Sequence, residues 1–150
     1  MKSLFTALGI SVCLYGCAQT GAHVDVPAVV KTKFATMYPG AGHTVWEMED
    51  GNYEAEFKVD KVETSAIYNG EGILQQTESE MEVALLPQSV RDYVSSTLGN
   101  KKIDGAAKIV HQDGKLQYEA EVDKKDFIFD ANGQFVGQEE DDKGKEEEDD

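Results

Sequence analysis

The folded part of this sequence has no cysteine to use. Both cysteines, Cys13 and Cys17, lie near the start of the 150-residue chain, so no disulfide and no thiolate metal site is available beyond them. Stability must come from packing. Basic residues are scarce as well: 14 Lys and Arg stand against 29 Asp and Glu, a formal charge of −15. Such a field repels nucleic-acid phosphates and anionic lipid and permits cationic partners. Catalytic patterns are missing too. His23, His43 and His111 stand alone, with no second His or Cys at metal-ligand spacing, and read as solvated or capping side chains. No Ser or Thr sits in a nucleophile elbow or a similar setting. The chain is therefore expected not to be an enzyme, and no cofactor or dedicated metal site is expected. Its length suits one compact domain or two very small ones.

What is present begins with Met1-Lys2, a short positive start, followed by the apolar run Leu4 to Leu14. A membrane-spanning helix needs about 20 apolar residues, so this run reads as the h-region of an export signal. It ends in Leu14-Tyr15-Gly16-Cys17, which resembles the bacterial lipobox: an aliphatic residue, a variable one, a small one, then the cysteine that receives diacylglyceryl. The resemblance implies cleavage before Cys17 and lipidation of its thiol. Residues 1–16 would then be a lipoprotein signal peptide and 17–25 a tether. Tyr15 is larger than that motif usually places there, and ordinary cleavage near Ala18 or Ala22 is the alternative. Ala18 differs from the aspartate associated with inner-membrane retention, which points to an outer-membrane lipoprotein facing the periplasm.

Past the tether, Val26-Pro27 opens a segment with apolar residues at 26, 30, 34 and 37, the spacing of a helix face, closed by Tyr38-Pro39-Gly40. Thr44 to Glu49 and Tyr53 to Val59 alternate about the turn Asp50-Gly51-Asn52, the pattern of an antiparallel hairpin. Further strands are predicted near Thr64 to Tyr68 and Ile73 to Met81. The order then returns. Leu86-Pro87 opens a helix, Ala107 to His111 and Gln117 to Val122 flank a Gln112-Asp113-Gly114-Lys115 turn, and Phe127-Ile128-Phe129 leads into Asp130-Ala131-Asn132-Gly133. The tetrapeptide Tyr-Glu-Ala-Glu occurs at Tyr53 and again at Tyr118, as a duplicated unit requires.

The fold expected is α+β: a tandem repeat of a helix followed by mainly antiparallel sheet, with the helices on one sheet face. Residues 26–82 form the first unit and 86–137 the second. A single unit of this size is marginal for burying a core, so the two are expected to share an apolar interior or to continue one sheet into a larger one. The inward set is Trp46, Met48, Tyr53, Ala55 and Phe57 in the first unit, and Tyr118, Ala120, Val122, Phe127 and Phe129 in the second.

The elements Val26-Pro27, Val30, Phe34, Tyr38-Pro39, Trp46-Glu47, Tyr53 to Phe57, Gly72-Ile73-Leu74, Leu86-Pro87 and Val90 together resemble the PepSY-like group of β-lactamase-inhibitor-like domains, small exported modules of bacterial envelopes. The resemblance covers nearly everything from Val26 to about Val136. It implies an architecture similar to inhibitor proteins that grip an enzyme with a concave sheet, carries over no catalytic motif, and does not fix a target. The second copy departs from the pattern: Leu98-Gly99-Asn100 replaces Tyr38-Pro39-Gly40, and no tryptophan stands opposite Trp46.

Alternation places Glu47, Glu49, Glu54 and Glu56 on one face of the first hairpin, and Glu119 and Glu121 repeat the arrangement in the second. Like charges across a strand pair destabilise it, so this face is the candidate binding surface for a cation or a basic partner. The alternative is a plain solvated face relieved by Lys58, Lys108, Lys115 and Lys124. Asp130 to Gly133 brings its glycine too early for an EF-hand loop and reads as a strand-linking turn. Residues 138–150 (QEEDDKGKEEEDD) have nothing apolar to bury and read as a disordered acidic tail. The function expected is that of a non-enzymatic envelope lipoprotein, anchored to membrane by its lipid, which binds or inhibits a protein partner such as an exported enzyme through an exposed sheet face. The rival is an acidic envelope protein that binds divalent cations weakly and has no dedicated protein partner.

Overall fold

The computed structural model describes residues 24–140, with side chains as far as Gln138. The proposed signal peptide, Cys17, His23 and the tail from residue 141 onward lie outside the described residues.

Helix α1 (Ala28–Met37) starts directly after Pro27, whose carbonyl accepts the amide of Lys31 at 3.1 Å. It ends at Tyr38, where the amide donates to the Phe34 carbonyl at 2.8 Å and Pro39 forbids another turn. Four strands follow: β1 (Val45–Glu49), β2 (Asn52–Val59), β3 (Val62–Tyr68) and β4 (Leu74–Glu80). A short 3₁₀ turn (Val83–Leu85) precedes α2 (Gln88–Thr97), again directly after a proline. The chain's one arginine, Arg91, fastens this junction by donating to the carbonyls of Ala84 and Leu86 and to Gln88 Oε1. Strands β5 (Gly105–His111), β6 (Leu116–Val122), β7 (Lys125–Asp130) and β8 (Phe135–Glu140) follow.

These elements overturn the expected tandem repeat of helix-plus-sheet units. Among the described residues all eight strands form one antiparallel sheet in chain order, β1 to β8, with two short helices. The pairing that abolishes the division is β4 with β5, where Gln76 to Glu80 meet His111 to Ala107. Leaving β4 and β5 as edges would expose two more rows of unpaired backbone groups, and pairing them satisfies both. The expected common interior is replaced by two separate clusters. One joins Val26, Val30 and Phe34 to Ala55, Phe57, Ala66 and Tyr68. The other joins Leu86, Val90 and Val94 to Ala120, Val122, Phe127 and Phe129.

Hairpin chemistry sets the register. Asp50-Gly51, Asp60-Lys61 and Asp123-Lys124 all have positive φ, as two-residue turns that match the twist of their strands require. The longer turns are held by side chains: Asn69 Oδ1 accepts the amides of Glu71 and Ile73 at 3.0 and 2.9 Å, and Asp130 Oδ1 accepts those of Asn132 and Gln134 at 2.9 Å. The Asp130 segment is thus an Asx-type turn that links strands. Both turns press on a helix: a Cβ on Gly72 would meet the Val29 carbonyl at 3.2 Å, and one on Gly133 would lie 2.0 Å from Ser89 Oγ.

Several expectations change at residue level. Met48 points to the helix side of the edge strand β1 but is 56 % exposed. Met37 also lies exposed, although the Tyr68 hydroxyl reaches its sulfur at 3.9 Å. Gln138 to Glu140, expected in the tail, belong to β8, an element the sequence reading missed.

Replacing Gly133 with alanine is expected to destabilise the fold by about 2 kcal/mol or more, since a left-handed backbone and the Ser89 clash act together. Gly114, with φ +81 and nothing within 4 Å of a built Cβ, is the comparison: its alanine variant is expected to lose only about 1 kcal/mol. Urea unfolding of both variants measures the difference.

Burial lifts the Tyr68 phenol from 10.0 to about 12, with nearby Tyr38 adding to the shift. The unfolded phenol ionises near pH 10 while the folded one holds its proton, so stability is flat below pH 10 and falls as pH rises toward 12. The expected loss is roughly 2 kcal/mol. Tyr68→Phe is expected to flatten that decline, as read from urea midpoints at pH 9 and 11.5.

Candidate functional site: the acidic sheet face

Period-two alternation divides the sheet cleanly. The registers Ala55 with Ala66, Tyr53 with Tyr68, Ala106 with Ala120 and Ala120 with Phe127 put the apolar set on the side that carries α1 and α2. The opposite side carries carboxylates in rows that run across the strands. One row reads Glu47, Glu54, Ile67, Gln76, His111. The next reads Val45, Glu56, Ser65, Glu78, Ile109, Gln117, Asp130. A third joins Glu80, Ala107, Glu119 and Ile128, and a fourth joins Gly105, Glu121 and Asp126.

All six carboxylates singled out in the sequence fall on this face. Glu47 stands directly opposite Glu54, Glu49 opposite Asn52, and Glu56 opposite Val45. Glu119 and Glu121 lie on the same surface in β6, four strands from β2. Their environments differ. Glu47 is exposed and Glu49, Glu56 and Glu121 are half-buried, whereas Glu54 and Glu119 are each only 4 % exposed. Glu54 Oε1 is buried without a hydrogen-bond partner. Sequence reasoning missed Glu78 and Asp126, both also buried. A signal for Glu78 existed in the alternation of Gln76, Glu78 and Glu80, but its neighbours on β5 become visible only once β4 and β5 pair.

The lysines do not relieve this face as an interleaved pattern would. Lys108 pairs with Ser79 and Tyr118 on the helix side, and Lys115 and Lys124 lie in turns. Among the strand lysines only Lys58 is on the acidic side, and it is engaged with Glu63. Burial, with the nearby Glu63 charge, pushes the Glu80 carboxyl above its usual range despite Lys58. At the far end of the first row His111 Nε2 meets Gln117 Oε1, while His43 is exposed. Among the described residues no group of three or more His, Cys, Asp or Glu is arranged to hold a metal ion, and no helix is long and apolar enough to cross a membrane.

Glu54→Gln removes one charge from the Glu47 pair while keeping shape. It is expected to stabilise the isolated protein by about 0.5–1 kcal/mol. Chemical denaturation at low and high salt checks this, and the gain is expected to shrink as salt screens the repulsion.

No family model matches the sequence, and no curated protein matches it. Solved structures do. A Bacteroides eggerthii protein provisionally described as periplasmic superposes with a TM-score of 0.69 at 16 % identity, covering 76 % of this chain and 88 % of that one. A DUF2874 family protein of Bacteroides uniformis gives 0.64 at 16 % identity over 75 % and 88 %. A BLIP-like protein of Bacteroides fragilis gives 0.61 at 19 % identity over 78 % and 87 %. At such identities the likeness establishes the fold alone: this chain has a BLIP-like fold.

Proposed function

We propose that this chain is a non-enzymatic periplasmic protein of the PepSY-like, β-lactamase-inhibitor-like kind, tethered by lipid on Cys17, which binds a protein partner through the acidic sheet face and acts by occlusion. One observation carries the reading. Among the described residues both helices pack on the same side of an eight-stranded sheet, and the other side carries buried carboxylates. A sheet face that serves only to be wetted has no need to bury charge, because a desolvated carboxylate costs stability. The company of a BLIP-like protein and of a provisionally periplasmic one supports both the mode of action and the compartment. The lipobox-like Leu14 to Cys17 supports the tether, with the outer membrane as its site and an exported enzyme as the class of partner.

The test is a pull-down from bacterial envelope extract with the mature lipoprotein as bait, its N-terminus read by mass spectrometry. A diacylated or triacylated Cys17 is expected. A specific protein is expected with the wild-type bait and is expected to be lost with Glu54→Lys/Glu56→Lys, whose fold is verified by circular dichroism. Equal recovery of all proteins by both baits would sink the docking face.

A further inference from the structure

Three buried carboxylates of the acidic face each stand directly opposite an isoleucine of the neighbouring strand. Glu54 faces Ile67, Glu78 faces Ile109, and Glu119 faces Ile128. The three glutamates are 4 % exposed, and Ile109 and Ile128 are 0 % and 3 % exposed. Opposed residues on a sheet have Cβ atoms about 4.5–5.5 Å apart, so each pair sets an aliphatic side chain beside an anion, and of the three isoleucines Ile67 is the one partly open to solvent. Lysine and arginine have the complementary build, an alkyl stem that ends in a cation.

Glu54 supplies an independent sign that something is to be received. Its Oε1 is buried without a hydrogen-bond partner, and the residue across the strand pair is a second carboxylate, Glu47. A buried carboxylate oxygen without a donor is a standing cost, which an ammonium or guanidinium group removes by a charge-assisted hydrogen bond. Lys58, the strand lysine on this face, is engaged with Glu63 instead.

We infer that the acidic face receives a lysine or arginine side chain of a basic protein partner, its stem on the half-buried Ile67 and its cation on Glu54 beside Glu47. The inference rests on the docking face proposed above and narrows its occupant to a cationic protein segment.

The experiment uses the full mature chain and a fluorescent decapeptide of alternating Lys and Ser, read by anisotropy. A second peptide replaces each Lys with 2,3-diaminopropionate, which keeps the amine and shortens the stem. The Lys peptide is expected to bind, with Glu54→Gln weakening it about tenfold or more, the scale of one charged hydrogen bond. The short-stem peptide is expected to bind more weakly than the Lys peptide, and Glu71→Gln, in an exposed turn on the other side, is expected to leave affinity unchanged. Absent binding, equal loss in Glu54→Gln and Glu71→Gln, or equal affinity for the two peptides would each overturn the inference. Failure here is separable from failure of the docking face. If the Lys peptide does not compete with a partner that wild type recovers and Glu54→Lys/Glu56→Lys loses, the face stands and its cationic occupant falls.

Discussion

Everything in this molecule follows from one constraint: successive strand residues must point to opposite sides of the sheet. Over β2, the stretch Tyr53 to Phe57 sends Tyr53, Ala55 and Phe57 to the helix side and Glu54 and Glu56 away from it. Over β6, Tyr118, Ala120 and Val122 go one way and Glu119 and Glu121 the other. A slip of one residue anywhere would exchange an apolar face for a charged one. The register is therefore enforced from both sides, by the aromatic packing of Phe34 with Trp46, Phe57 and Tyr68 under α1, and by the cost of driving glutamates beneath a helix. Bulges between Ile67 and Tyr68 and between Ile128 and Phe129 shift the pairing locally, and such bulges bend and twist a sheet.

This constraint also explains how far the sequence could be read. Helix starts at Pro27 and Pro87, the Asp50-Gly51 hairpin and the shared face of Glu47, Glu49, Glu54 and Glu56 are local properties, visible in spacing and turn chemistry. Where a sheet ends is not local. The recurrence of Tyr-Glu-Ala-Glu suggested two units, yet the pairing of Gln76–Glu80 with Ala107–His111 makes one sheet, and no pattern within either strand announces its partner. Lys108 illustrates the same limit. It looks like relief for the carboxylates until register puts it beside Tyr118 on the opposite side. Strand β8 escaped notice because Gly137 and Gln138 interrupt its apolar start and the acidic run from Glu139 suggests a tail. Strand pairing with β7 overrides that composition.

The two cores have consequences for how stability is distributed. Each ten-residue helix covers its own patch of sheet, α1 over β2 and β3, and α2 over β6 and β7. Between the patches, β4 and β5 carry Thr77, Ser79, Val110 and Lys108 on the helix side, a polar saddle with little apolar area to bury. Cohesion across the middle thus depends on ladder hydrogen bonds and on the opposite face, where Ile109 is fully buried beside Glu78. The acidic face is therefore part of what holds the sheet together.

Acidic residues at sheet edges have another use, and the two purposes can be separated by position. Edge strands left bare invite pairing with other chains, and charge on them discourages it. Glu47 and Glu49 on β1 fit that account, since among the described residues β1 has one neighbouring strand. Glu54, Glu78 and Glu119 do not fit it. They lie on β2, β4 and β6, each flanked on both sides, where no edge needs defending and where solubility would be served better by exposed charge than by side chains 4 % exposed. Edge protection and solvation therefore account for the rim of the acidic face but not for its centre, and the centre is where each carboxylate stands opposite an isoleucine.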